Sequence, residues 1–336
     1  MSAAHLLVGN PTAQSGKNRE RIDEVRRLLR AAGIPADLLA TLPDGQTIEA
    51  VRDALEAGDY RVVIAMGGDG TFREVASGLL ASSKRERVTL GLLPTGTAND
   101  QGKSFGLDAS PSALPRNVDV IALAHETRLD AGLLQQDGHP PAYFFDSAGW
   151  GLSARVLAER NKQRRAISAL HLDQLYRDHA VYAGALVKTF LESYLVPDKM
   201  HATLVLDGVR HELEGISDLV IKNTRIYAGA WVFDRTSRHD DGVFEVIPFR
   251  GKRDWTSKAI VDLEGNPVTE PMLNEIGIEH SHAMRASRIE LELVTVERGA
   301  ALAAQLDGEE WPASPRVSVE VLPRALRVLV PVSPGA

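Results

Sequence analysis

The chain has 336 residues, of which 44% are hydrophobic and 25% are charged, and its formal net charge at pH 7 is −7. This length suits two domains, and the acidic balance offers no basic footprint for nucleic acid, which we exclude as a partner. Because the sequence has no cysteine, disulfide frameworks, thiolate zinc sites and cysteine nucleophiles are excluded as well.

The first part of the chain alternates short apolar runs with amphipathic helical patterns. In chain order we predict a strand at 5–8, a helix at about 22–29 that ends at Gly33, a strand at 36–40, a helix at about 48–55 that stops at Gly58, a strand at 61–66, a helix from Thr71 and a strand at 88–93. Such βαβα alternation predicts a parallel sheet covered by helices on both faces. Ligands of these sheets bind beyond the carboxyl ends of the strands.

After about Leu129 the pattern becomes that of antiparallel strands. Residues 288–296 and 317–321 alternate apolar with polar side chains, and Asp207-Gly208 between apolar runs predicts a hairpin turn. One helical insertion is predicted at about 154–195. We therefore expect a β-sandwich or open barrel, with a core that includes the aromatic side chains of Phe144, Phe145 and Trp150.

A glycine-rich turn, Gly67-Gly68-Asp69-Gly70, follows the strand predicted at 61–66. Backbone N–H groups in such a turn can approach an anion, and the N-terminus of the next helix adds a positive dipole. A carboxylate there would repel phosphate unless a cation or a transferable proton lay between them. Asp69 is therefore interpreted as a metal or catalytic partner, although the tetrapeptide alone also fits a simple tight turn.

Two further polar loops follow neighbouring strands. The loop after the strand at 88–93 carries Thr95, Gly96, Thr97, Asn99, Asp100 and Lys103, and the loop after the first strand carries Asn10, Ser15, Gly16, Lys17 and Arg19. Three such loops at one edge of a parallel sheet predict a nucleotide site. Neither the Walker A spacing nor the dinucleotide fingerprint is present, since six residues separate Gly9 from Gly16 and Arg73 replaces the third glycine.

These motifs resemble the catalytic domain of the diacylglycerol kinases, a family that includes bacterial soluble lipid kinases and eukaryotic sphingosine and ceramide kinases. The resemblance rests on Asn10-Pro11 with Gly16, on the 67–71 turn and on the Pro-Thr-Gly-Thr-Ala-Asn-Asp loop at 94–100. Weaker motifs follow in the same order, at 144–156, at 239–246 and at 306–311 (Leu-Asp-Gly-Glu-Glu-Trp).

The resemblance implies an α/β N-terminal domain of the NAD kinase and diacylglycerol kinase type at 1–127, followed by a mainly-β sandwich domain for the lipid substrate at 128–323. The last segment, about 324–336, would return to the first domain. ATP would lie in the cleft between the domains. The implied ATP-binding residues are Asn10, Thr41, Gly67, Gly68, Asp69, Gly70, Thr71, Arg73, Thr95, Gly96, Thr97 and Asn99.

The resemblance also implies Mg²⁺ near Asp69 and a catalytic base, Asp307 or Glu309, facing the cleft from the second domain. The carboxylate of Asp241 and the main-chain carbonyls of Arg238 and Val243 would hold a structural Mg²⁺. In isolation, Asp-Gly-Glu is more typical of a β-turn with solvated acids, and the neighbouring motifs of the sequence reverse that preference.

This chain departs from the family pattern at three positions. Arg235 and Ser237 stand where relatives usually carry a proline and a small residue, which bears on the Asp241 site. Arg73 stands where many relatives have asparagine, which bears on contacts to the ribose or triphosphate. Two alternatives stay open: an NAD kinase, which shares the Gly-Gly-Asp-Gly turn, and a nucleotide- or lipid-binding relative without catalysis.

The acceptor is expected to be a lipid, which the sequence does not specify further. Basic residues at 155–165, followed by apolar ones at 170–190, fit a surface that docks on an anionic membrane, and they equally fit a solvated face over a packed helix. Residues 1–10 show no secretory signal, and no apolar run approaches the roughly 18 residues of a spanning helix. We expect a cytoplasmic protein that contacts membranes peripherally; its oligomeric state, a homodimer included, stays open.

Overall fold

The structure is a computed structural model that describes residues 4–11, 17–96, 98–169, 199–228, 232–234, 236–251, 283–297 and 302–332. The first half contains β1 (His5–Gly9), α1 (Lys17–Ala31), β2 (Ala36–Ala40), α2 (Thr47–Ala57), β3 (Val62–Gly67), α3 (Asp69–Leu80), β4 (Thr89–Pro94), α4 (Asp100–Ser104), a 3-10 turn (Pro111–Ala113) and α5 (Leu114–Leu123). The predicted alternation of strands and helices is confirmed.

The second half contains one described helix, α6 (Leu152–Ala169), among many strands. The strands are β5 (Glu126–Gln136), β6 (Ala142–Phe144), β7 (Ser147–Gly151), β8 (Met200–Leu206), β9 (Val209–Ile216), β10 (Asp218–Lys222), β11 (Phe244–Phe249), β12 (Met284–Ala286), β13 (Arg288–Thr295), β14 (Ala304–Leu306), β15 (Glu309–Trp311) and β16 (Arg316–Leu329). The helix covers the start of the predicted insertion, and 170–198 lie outside the described residues.

The first four strands form a parallel sheet in the order β2-β1-β3-β4. β3 is apolar throughout and buried except at its last residue, as expected for a strand covered on both faces. One face packs against α2 and α3, whose Phe72, Val75 and Leu79 follow helical spacing, and the other packs against α1 and α5. All four strands point their carboxyl ends to the same edge.

Two sheets enclose a second core in the C-terminal half. The antiparallel strands β5, β6, β8, β9, β13 and β16 face a six-stranded sheet with the order β12-β11-β10-β7-β14-β15. Side chains from both sheets form one cluster, which includes Phe144, Trp150 and Phe244. The predicted mainly-β sandwich is therefore confirmed, as is the hairpin turn, since Asp207 and Gly208 join β8 to β9 with positive φ at both residues.

One long strand joins the two halves. β16 pairs with β13 through its first residues and lies parallel to β4 near its end, where Val328 is opposite Leu90. β5 accompanies β16 along its length, with an irregularity between Leu322 and Leu326 where Arg324 has a φ of 53°. The predicted return to the first domain is thus the second half of a single strand, and the ten-stranded sheet runs through both halves.

The prediction for Phe145 was wrong. Its neighbour Phe144 faces the sandwich core, but Phe145 belongs to the core of the parallel-sheet half. Its ring lies edge-on to that of Phe72 on α3, with centroids 6.0 Å apart. Phe144 ends strand β6, and the turn that follows points the next side chain in the opposite direction. The chain therefore anchors one half to the other at this turn.

Candidate active site

The carboxyl ends of β1 and β2 bring Asn10 and Thr41 together. The N–H of Thr41 donates a hydrogen bond of 3.0 Å to the carbonyl of Gly9, which immediately precedes Asn10. The carbonyl of Asn10 in turn accepts a hydrogen bond from the side chain of Asn18 on α1. These contacts hold two of the predicted nucleotide-binding residues side by side at the edge of the sheet.

The loops after β3 and β4 touch through their glycines. The N–H of Thr95 donates to the carbonyl of Gly67 over 2.8 Å. A Cβ atom on Gly96 would lie only 2.5 Å from the Cα of Gly68, and one on Gly67 would lie 2.3 Å from the hydroxyl of Thr71. Side chains are therefore excluded where the two backbones meet, and the loops present a surface of main-chain groups.

Asn99 shapes the second of these loops. Its backbone is left-handed, with a φ of 52°, and its side chain is buried. The side-chain amide accepts the N–H of Gly96 at 2.9 Å and donates to the carbonyl of Gly96 at 2.6 Å. The side chain predicted to bind the nucleotide thus closes the loop upon itself. Thr97, within the same loop, lies outside the described residues.

Asp69 begins α3 and crosses to the loop after β4. One carboxylate oxygen accepts the N–H of Gln101 in α4 at 3.2 Å. Burial raises the pKa of Asp69, and the negative charge of Asp146 acts in the same direction, while hydrogen bonds from the backbone of Gln101 and Asp100 oppose the shift. Carboxylate oxygens are the ligands that Mg²⁺ prefers, so the chemistry of this side chain fits a cation held between it and phosphate.

Asp307 comes from the turn between β14 and β15 and is 3% exposed. Its carboxylate accepts the N–H groups of three consecutive residues, Phe145 at 3.0 Å, Asp146 at 2.7 Å and Ser147 at 3.0 Å. Burial raises the pKa of Asp307 to about 7, helped by the charge of Asp146, while Arg73 and the backbone hydrogen bonds act against the rise. A carboxyl group that titrates near neutrality can accept a proton in catalysis.

The hairpin that carries Asp307 packs against the N-terminus of α3. A Cβ atom on Gly70 would lie 3.1 Å from Oε1 of Glu309, so glycine allows the strand to approach the helix closely. One turn along α3, the guanidinium carbon of Arg73 lies 5.5 Å from the ring centroid of Trp311. The two halves of the chain therefore meet where the predicted catalytic residues of each half are located.

A buried ion pair, which the sequence patterns did not single out, lies between the two halves. Nζ of Lys222 is 2.5 Å from Oδ1 of Asp146, and both side chains are 3% exposed. Thr224 donates to the same carboxylate oxygen. The charge of Asp146 raises the pKa of both Asp69 and Asp307, which places this pair near each of them. Its only sequence signal is a charged residue at the end of an apolar run, and this occurs in two segments whose charged residues are 76 positions apart.

An apolar cluster adjoins this ion pair on the face of the six-stranded sheet opposite the sandwich core. Leu152, Val220, Tyr227, Phe233, Ile247 and Phe249 form it. Val220 and Lys222 share this face because they are two residues apart on β10. Nζ of Lys222 lies 5.6 Å from the ring centroid of Tyr227. Charged and apolar groups are therefore neighbours on this face.

The loop predicted to hold a structural Mg²⁺ is fixed to the rest of the fold by Asp130. This fully buried carboxylate on β5 accepts the N–H of Gly242 at 2.7 Å and that of Arg324 at 2.5 Å. Oδ1 of Asp241 accepts the N–H of Val243 at 3.3 Å. Within the described ranges, no three His, Asp or Glu side chains cluster as metal ligands. A structural Mg²⁺ held by the carboxylate of Asp241 and the carbonyls of Arg238 and Val243 stays a prediction.

The predicted basic docking surface is only partly described. Arg155 on α6 is half-buried, and burial lowers the pKa of its guanidinium. Lys162 is largely exposed and lies 4.0 Å from a carboxylate oxygen of Glu159. Within the described residues, none of the helices combines the length and the apolar character that crossing a bilayer requires.

Comparison with known proteins identifies relatives for this arrangement. Residues 4–134 match the family model described as the diacylglycerol kinase catalytic domain. A diacylglycerol kinase of Staphylococcus haemolyticus is 34% identical over 162 residues, which are 48% of this chain and 46% of the relative. A probable YegS-like lipid kinase of Chromohalobacter salexigens is 34% identical over 154 residues, or 45% of this chain and 44% of the relative. The match thus spans about half the length of these curated relatives.

Similarity of fold extends over the whole chain. A solved structure of a putative diacylglycerol kinase from Bacillus anthracis superimposes with a TM-score of 0.67 and covers 97% of each chain. At 20% sequence identity, this likeness supports the two-part fold and not the chemistry.

Proposed function

We propose that the chain is a lipid kinase that uses ATP and Mg²⁺, because residues 4–134 match the family model of the diacylglycerol kinase catalytic domain. The observation that carries the proposal is the approach of Glu309 to Gly70 at the N-terminus of α3, because Glu309 lies on the same hairpin as the buried Asp307. The hairpin therefore brings a carboxyl group with a pKa of about 7 to the half that carries the turn rich in backbone donors. Phosphoryl transfer requires these two elements on either side of the reacting groups.

In the proposed mechanism, main-chain N–H groups of the 67–71 and 94–100 loops bind the phosphates of ATP, assisted by the dipole of α3. Asp69 would hold Mg²⁺, which supplies the positive charge that neutralises the phosphate oxygens. Asp307 accepts the proton of the lipid hydroxyl as that oxygen forms its bond to the γ-phosphorus. The bond between the γ-phosphorus and the bridging oxygen breaks, and ADP leaves with its electron pair.

The acceptor is proposed to be a lipid because residues 4–134 match the diacylglycerol kinase catalytic domain and because the similar proteins include a diacylglycerol kinase and a probable lipid kinase. The aromatic side chains of Tyr227, Phe233 and Phe249 in the second half are buried in its core. A lipid acceptor resides in a bilayer, so we propose that the chain contacts the membrane surface peripherally.

Transfer of labelled γ-phosphate tests this proposal. Purified protein is incubated with labelled ATP and Mg²⁺ and with mixed micelles that each contain one lipid, namely diacylglycerol, a sphingoid base, ceramide or phosphatidylglycerol. NAD serves as the non-lipid acceptor, and an Asp69→Ala variant serves as the catalytic control. We expect label on a lipid with the parent protein and none with the variant. Label on NAD alone, or no label despite ATP binding, would contradict the proposal.

A further inference from the structure

Arg73 is a cation of the candidate site that forms no ion pair within the described part of the chain. It lies on the first turns of α3, one turn after Gly70. No described carboxylate lies within 4.0 Å of its guanidinium, and its Nε is buried without a hydrogen-bond partner. The residue as a whole is half-buried, and a buried N–H donor without a partner is costly, so this position is suited to a ligand with acceptor oxygens.

The surroundings of Arg73 fix the position of its guanidinium. The carbon at its centre lies 5.5 Å from the ring centroid of Trp311, a contact in which the indole attracts the cation. Gly70, three residues earlier on the same helix, touches Glu309, and Glu309 and Trp311 lie two residues apart on β15. The hairpin of the second half therefore positions the arginine of the first. The N–H groups of a guanidinium lie in its plane and bind phosphate oxygens in pairs.

Phosphate oxygens are the anions that the proposed reaction brings to this place. The glycine loops touch at Gly68 and Gly96, at the edge of the parallel sheet where α3 begins. Asp307 is close enough to Arg73 for the positive charge of Arg73 to lower its pKa. The proposed reaction moves the phosphoryl group away from these loops toward a hydroxyl held at Asp307. Arg73 lies on the helix that begins at the first loop, and its charge acts on Asp307, so its guanidinium belongs to the surroundings of that group.

We propose that Arg73 is a further catalytic residue, whose guanidinium binds the equatorial oxygens of the phosphoryl group during its transfer. The assignment rests on the proposed lipid kinase function. Arg73 neither gives nor accepts a proton, because the hydroxyl proton goes to Asp307 and the electron pair leaves with ADP. Its contribution is positive charge that is matched to the transition state, where the charge on the oxygens is largest.

The test compares Arg73→Ala and Arg73→Lys with the parent protein and with Arg316→Ala, which removes an arginine that is 71% exposed on the sandwich half. Binding of ADP, and of ADP with Mg²⁺ and aluminium fluoride as a transition-state mimic, is measured by calorimetry. Lipid phosphorylation gives kcat and KM separately, and thermal unfolding reports whether each variant is folded.

We expect Arg73→Ala to bind ADP as the parent does, to lose the tighter binding of the mimic and to lower kcat by about 10³-fold with little change in KM. Arg73→Lys should recover part of the mimic binding and part of kcat, and Arg316→Ala should change neither of these two quantities. Equal loss of ADP and mimic binding, or unchanged kcat in a folded Arg73→Ala variant, would overturn the assignment and leave the kinase function intact. A parent protein that phosphorylates no lipid would overturn both proposals.

Discussion

In the first half of the chain the candidate site is built from backbone, whereas in the second half it is built from buried charge. Gly67, Gly68 and Gly96 keep side chains out of the place where two loops touch. Asp146, Lys222 and Asp307 are almost completely removed from solvent and are held by one another and by main-chain N–H groups. The first arrangement suits binding of phosphate, and the second suits control of protonation.

The largest effect is expected from Asp307→Asn. The amide cannot accept the hydroxyl proton, and its NH₂ group would face the N–H of Phe145 in the place of Oδ2, or those of Asp146 and Ser147 in the place of Oδ1. We expect lipid phosphorylation to fall by about 10³-fold, as for loss of a general base, with ATP affinity retained. The measurement is kcat beside calorimetric ATP binding, and Asp137→Asn, which alters an exposed carboxylate, is the matched control. An active Asp307→Asn enzyme would assign the base elsewhere.

Lys222→Met tests the buried charge through stability. The substitution leaves the carboxylate of Asp146 buried without its cation, which costs about 3–5 kcal/mol in the free energy of unfolding. Urea denaturation measures the loss, and a second substitution, Asp146→Asn, should recover part of it. A loss typical of exposed ion pairs, under about 1 kcal/mol, would mean that the pair is solvated.

Gly96→Ala tests the backbone half. A Cβ atom 2.5 Å from the Cα of Gly68 would force the two loops apart and misplace their N–H groups. We expect ATP affinity to weaken by about tenfold or more, in line with 1–3 kcal/mol for overpacking. Gly251→Ala is the control, since a Cβ atom there would meet nothing within 4 Å. Equal ATP binding by the two variants would show that the loops do not need this contact.

The dependence of rate on pH should reflect Asp307. A base acts only when it is deprotonated, and burial raises the pKa of Asp307 to about 7. The rate should therefore rise about tenfold per pH unit below about 7 and level off above it.

The stability of the fold should depend on pH in the opposite direction to that given by a salt-bridged carboxylate, whose pKa is lowered in the folded state. Because the pKa of Asp307 is raised in the folded state, this group lowers stability progressively as pH rises from its ordinary value near 4 toward 7. Rate profiles and unfolding curves across this range check both statements.

The backbone half was readable from sequence because its signals are local. Each glycine loop directly follows an apolar strand, and the carboxyl ends of parallel strands meet at one edge. Thr41 accordingly bonds to Gly9, which precedes Asn10, and Thr95 bonds to Gly67. Asn99 shows the limit of this reasoning, because the same pattern does not reveal that its side chain bonds back to Gly96.

The buried-charge half could not be derived in the same way, because its partners are distant in sequence. Lys222 meets Asp146 only after β7 and β10 have paired, and Phe145 leaves the sandwich core because a turn follows Phe144. The chain also continues from 316 to 329 as one strand past the irregularity at Arg324, where the sequence suggests two separate segments. These features depend on pairing between strands that are distant in sequence, and the local propensities of the residues do not predict that pairing.

The central claim is that Asp69 and Asp307, from opposite halves, act in one site, and a double-mutant cycle on lipid phosphorylation tests it most directly. Asp69→Asn, Asp307→Asn and the double variant are compared with the parent under saturating ATP. The effects of residues that act as a unit are strongly non-additive. The double variant should therefore be about as active as the less active of the two single variants. Losses that multiply would show independent roles and would contradict a single site assembled from both halves.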